Sequence, residues 1–118
     1  MNEKIAEIKD FIAKSKEETQ NRIDTLVAEG REDDARPYRA ALNIHDVFVS
    51  LIDAAVKLSG GDEQKFSTIF KSYSENVPAP WRQSLARAKE HNDAEKIMFE
   101  EAKLKIADAI TAKFSELF

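Results

Sequence analysis

Apolar residues in this chain recur at intervals of three and four and nowhere alternate with polar ones, so the pattern predicts helices and no strands. The first stripe opens with Ile5, Ile8 and Ile12 and closes with Ile23, Leu26 and Val27, which predicts a helix from Asn2 to Glu29. Asn2 is its expected N-cap, Glu3 suits the positive end of the helix dipole, and Gly30 ends it as the C′ residue. Its middle is filled by Ser15 and Thr19, inside the polar run Ser15 to Arg22. Such a section is either solvent-exposed or packs closely through small residues.

The second helix ends at Ser59, ahead of Gly60-Gly61. Proline suits a first turn and not a helix interior, so Pro37 places the start near Arg36, or makes Arg31 to Ala35 a separate turn. From Ala40 to Leu58 most of the circumference is apolar, while Asn43, Asp46, Ser50, Asp53 and Lys57 draw one narrow polar stripe. A helix with so thin a wet edge has to be covered on its other sides, which makes it the central helix of a bundle.

A third helix, Asp62 to Glu75, carries an aromatic face of Phe66, Phe70 and Tyr73 with Ile69, and Asp62 caps it. Pro78 and Pro80 break it, and Pro80 opens a short fourth helix to about residue 90 with Trp81, Leu85 and Ala88 inward. Asn92, three residues before Glu95, reads as a capping-box variant that starts a fifth helix over 93–117. Phe99, Ala102, Ile106, Ile110, Phe114 and Leu117 form its stripe, and Phe118 would be stranded in water unless something covers it. The expected fold is all-α: one domain over 1–118, a compact bundle of three long helices, with two short ones as a hairpin-like connection.

Composition narrows the function. The 118 residues suit one domain, and the absence of cysteine excludes disulfides, thiolate metal sites and cysteine nucleophiles. Charges interrupt the N-terminal apolar residues, so no signal peptide is expected, and no window is apolar enough to span a membrane. The expected location is the cytoplasm. A net charge of −4 with both signs interspersed offers no basic face for nucleic acid.

The tracts Leu42 to Phe48, Trp81 to Asn92 and Ile97 to Ile106 resemble those of small uncharacterised helical proteins from bacteria. The resemblance implies a similar helical fold, and no activity comes with it.

Candidate chemistry is sparse. His45 and His91 have no acid three positions before them, and the spacing of a zinc protease is absent. Asp46 and Asp53 lie seven residues and about 10 Å apart along one helix, too far to share a metal without help from other helices. Asp53 and Lys57 read as an i, i+4 pair on a wet face. Ser59-Gly60-Gly61-Asp62 joins two helices and places an aspartate where a phosphate would sit, so it reads as a pair of caps. Nothing in the sequence pairs a nucleophile with a base, so no catalytic residue and no cofactor is expected.

Two classes of function follow. The first is a non-enzymatic interaction or structural module, with a protein partner or a second copy of the chain meeting Trp81, Arg82, Phe114 and Phe118, since tryptophan and arginine are enriched at interface hot spots. The alternative is a bundle that binds a small ligand or metal, with His45, Asp46 and Asp53 as polar contacts.

Overall fold

A computed structural model describes the chain from Met1 to Phe118. It contains five helices: α1 (Asn2–Ala28), α2 (Glu32–Ser59), α3 (Glu63–Asn76), α4 (Ala79–Glu90) and α5 (Ala94–Leu117). All-α architecture with three long and two short helices is what the apolar periodicity predicts.

The ends are set by local chemistry. α1 closes in a Schellman motif: Gly30, at φ 72°, donates to the Val27 carbonyl, and the Arg31 amide donates to Leu26. α4 closes the same way, with Asn92 at φ 54° in the glycine-like position and the Asp93 amide donating to Ala88. That reassigns Asn92. It terminates α4, and Asp93 caps α5 by accepting from the Lys96 amide. Asn and Asp are both good N-caps, and only Asn tolerates the left-handed region as readily, so the order Asn-Asp splits the two tasks. Asp62 caps α3 as expected, accepting from the Lys65 amide at 2.9 Å. α1 takes Met1 as its N-cap and Asn2 as its first helical residue.

The start of α2 also differs from expectation. The helix begins at Glu32 and carries Pro37 inside it. The missing Pro37 N–H frees only the Asp33 carbonyl, four residues back, and Asp33 is exposed, so water can satisfy that acceptor. Glu32, Asp33 and Asp34 in the first turn favour the positive helix end.

Cross-contacts fix the topology. Ser15 meets His45 and Lys16 meets Asp46, while Lys9, nearer the start of α1, meets Asp53, further along α2, so α1 and α2 are antiparallel. α2 and α5 run in parallel: Arg36 pairs with Glu95 near both starts, and Phe48 and Phe114 converge on Phe70 further along. A parallel pair requires the chain to travel back, and α3 and α4 make that journey. Their 14 and 12 residues nearly match the 28 of α2. Both run against α5, with Phe66 on Phe118, Phe70 on Phe114 and Arg82 on Asp108. They therefore form one broken column, and the hairpin-like arrangement expected from the sequence does not occur. Pro78, buried at the break, stops α3 from continuing and orients α4.

The result is a slab of 47 × 33 × 20 Å, with α2 and α5 central, α1 on one flank and the α3–α4 column on the other. The main core gathers Phe48, Phe66, Phe70 and Phe114 with Ile8, Ile12, Ile52 and Ile110. A smaller cluster of Ile23, Leu26 and Ala35 holds the far end of the α1–α2 hairpin. α2 is as central as its composition demands, for Asn43, Asp46, Ser50, Asp53 and Lys57 are its exposed edge. Asp53 pairs across to Lys9 on α1 instead of along the helix to Lys57, because the neighbouring helix brings an ammonium within reach.

Candidate functional site

The polar interruption in α1 becomes structural at its first residue. Ser15 sits where α1 crosses α2, and its hydroxyl lies 2.9 Å from Nε2 of His45, which is completely buried. The other ring nitrogen, Nδ1, is 2.9 Å from the Leu42 carbonyl. A carbonyl only accepts, so Nδ1 carries the proton, Nε2 is a lone pair, and the Ser15 hydroxyl donates to it. Burial pushes the imidazole below its ordinary range; the Leu42 carbonyl opposes that, Lys16 reinforces it, and Asp46 opposes it. His45 is therefore neutral at neutral pH.

Hydroxyl, base and orienting acceptor thus stand in the order found in serine hydrolases, although the orienting group is a neutral carbonyl. Such a carbonyl does less than a carboxylate to stabilise the imidazolium that proton transfer would create. The amides around Ser15 lie in mid-helix and are engaged in the α1 ladder, so they do not form an oxyanion hole.

Ser15 also opens onto a groove of about 550 Å³ where α1 and α5 separate. The two helices are close near the start of α1, where Lys113 lies 3.7 Å from Glu7 and Lys4 lies over the Phe118 ring. Further along α1 they diverge, and the space between them has an apolar floor of Phe11, Ala102, Ile106 and Ala109. Small alanines on α5 leave the volume, and Ser15 and Thr19 on α1 keep the opposite wall low. Thr19 donates its hydroxyl to the Ser15 carbonyl at 2.9 Å. Lys14, Glu18, Arg22 and Lys105 stand around the rim, with Tyr38 at one end. Lys14 is taken up by Asp10 at 3.1 Å. Arg22 and Lys105 have no acid within ion-pair distance, and Arg22 lies 5.9 Å from the Tyr38 ring.

Other residues singled out in the sequence do not converge. Asp46 and Asp53 are exposed and bound to Lys16 and Lys9, while His45 points inward to Ser15. No group of three or more His, Asp and Glu side chains is placed to hold a metal ion. His91 is exposed in the turn between α4 and α5. The residues considered for an interface serve the fold: Phe114 is buried, Phe118 stacks on it at 5.1 Å, and half-buried Trp81 packs on the core beneath the Lys103 ammonium. Phe118 is thus covered by Phe66, Phe114 and Lys4 of its own chain. Arg82 is exposed and bonded to Asp108 at 2.6 Å. No helix is long and apolar enough to cross a membrane.

The Ser15–His45 pair and the groove beside it escape sequence reasoning because their parts come from three helices. The usable signal was the replacement of apolar residues by Ser15 and Thr19 in the α1 stripe. Compared with family models, with curated proteins and with solved structures, the chain has no match.

Proposed function

We propose that this protein is a non-catalytic binding module that takes a small molecule in the groove between α1 and α5. One observation carries the reading: an apolar floor is joined there to polar groups and to two cations, Arg22 and Lys105, that have no ion-pair partner within the chain. Small-molecule sites combine these features, with apolar walls for affinity and a few polar groups for orientation, in volumes of roughly 300–1,000 Å³. The surface argument supports the same choice. Trp81, Phe114 and Phe118 are engaged internally, and the exposed large apolar side chains are Val27, Leu58 and Met98, with Leu58 at the opposite end of the bundle from the other two.

Binding is favoured over catalysis by the chemistry around Ser15. His45 is a base whose protonated form is disfavoured by burial and by Lys16, so it gains little from taking the Ser15 proton. The pair is better suited to fixing the groove wall than to generating a nucleophile. A crystallographic fragment screen tests the reading. Fragments should cluster between Phe11 and Tyr38. A screen whose hits all lie elsewhere would remove the groove from consideration.

A further inference from the structure

We infer that the ligand of this groove is an apolar organic carboxylate carrying a hydrogen-bond donor close to its head group, with the carboxylate drawn to Arg22 and Lys105, the donor to the Ser15 and Thr19 oxygens, and the body on Phe11 and Ile106. The inference rests on the reading of the groove as a binding site and adds the chemical class that fits it.

The charge comes first. The whole chain is acidic, at −4, yet the groove rim holds two cations without an ion-pair partner, against one carboxylate, Glu18, which likewise has none. Ammonium and guanidinium groups next to apolar surface attract an anion more strongly than they would in open water, because the low-dielectric wall screens less. Arginine also presents a planar fork that matches a carboxylate.

The donor requirement follows from where the hydroxyl protons go. Ser15 gives its proton to His45, and Thr19 gives its proton to the Ser15 carbonyl. Both hydroxyl protons are therefore committed, and these two lining residues have only acceptor lone pairs left to offer the groove. An anionic head placed against them would meet acceptors, so it belongs beside the cations, and a hydroxyl or amide N–H of the ligand belongs beside the oxygens. Glu18 adds a third acceptor on the same wall. The apolar floor accounts for the remainder of the molecule, and the volume of about 550 Å³ suits a body of one or two rings or a comparable aliphatic chain.

Four compounds with one common body separate the contributions: indole-3-lactate (anion with hydroxyl), indole-3-propionate (anion without it), tryptophol (neutral) and tryptamine (cation). Each is titrated into the full chain at millimolar concentration, and binding is read from the backbone amide resonances of Thr19, Ala102 and Ala109. Indole-3-lactate should bind roughly fivefold tighter than indole-3-propionate, the weight of one neutral hydrogen bond. Both acids should exceed tryptophol by about tenfold or more, as expected of charge-assisted contacts. Tryptamine should be the weakest. In the Arg22→Gln/Lys105→Gln double variant the advantage of the acids over tryptophol should vanish, and Glu18→Gln should tighten both acids.

Tryptophol or tryptamine matching the acids at the groove would overturn the inference while leaving the groove a binding site. So would an acid preference that survives in the double variant, or equal affinity for the lactate and the propionate. No groove response to any of the four would overturn the inference and the binding reading together.

Discussion

The two ends of the α1–α5 contact are built on opposite plans. Near the start of α1, four helices meet around stacked rings: Phe66 and Phe70 lie nearly parallel at 5.9 Å, and Phe114 and Phe118 close on them. Further along, α1 and α5 part, alanine replaces phenylalanine on α5, serine and threonine replace isoleucine on α1, and the floor is left open. The first region stabilises the molecule through apolar burial. The second gives up burial for volume and for two cations with no ion-pair partner. The difference teaches that in a slab this thin, a binding groove is made by withholding side chains from one stretch of a helix pair, provided another stretch is packed well enough to compensate.

The largest expected effect lies at the packed end. Phe70→Ala removes a fully buried ring that touches Phe48, Phe66 and Phe114, and should cost about 3–5 kcal/mol. That is a large part of what a domain of this size has, so urea denaturation should show a much lower midpoint. A loss under about 1 kcal/mol would mean that the rings are not the principal support. Next comes the wall between the two regions. Ser15→Ala leaves His45 Nε2 buried without a donor and should cost about 1–3 kcal/mol in thermal or chemical unfolding.

The pH response is the third test. The folded pKa of His45 is lowered, so the unfolded chain binds this proton more readily than the folded one. Stability from this group is fully present above the unfolded value of about 6.5 and is lost as pH falls below it toward the lower folded value. The wild type should therefore lose more stability between about pH 7 and pH 5 than His45→Asn does, a difference that subtracts the carboxylates common to both. Equal losses would place a water or an acceptor beside Nε2. The smallest effect belongs to the open end: Arg22→Gln and Lys105→Gln should each change stability by no more than about 0.5 kcal/mol, since neither side chain has an ion-pair partner to lose. A larger cost would give these cations a structural role and weaken their reading as ligand contacts.

Much of the fold is legible in the sequence because it is written in local periodicity. The stripe of Asn43, Asp46, Ser50, Asp53 and Lys57 marks the wet edge of α2 residue by residue. What local pattern cannot contain is register between helices. Ser15 and His45 are 30 residues apart, and only the antiparallel pairing of α1 with α2 brings them within hydrogen-bond distance, so a hydroxyl and an imidazole that the sequence leaves unpaired are paired in the structure. Pro37 misleads for a related reason: its cost depends on whether the carbonyl it frees can reach water, which is a property of the folded surface. The direction of α2 relative to α5 is likewise invisible, because both parallel and antiparallel pairings satisfy the same apolar stripes.

The parallel pairing of α2 with α5 has a consequence for the order of assembly. α1 and α2 join through the short turn at Glu29–Arg31 and can zip together early, whereas α5 docks only after the broken column has carried the chain back across the slab. The walls of the groove belong to the two helices furthest apart along the polypeptide. During synthesis, which proceeds from the N-terminus, the cleft does not exist until α5 has emerged and seated itself. A compound that fits there would act on the finished protein alone, slowing its unfolding while leaving the nascent hairpin untouched.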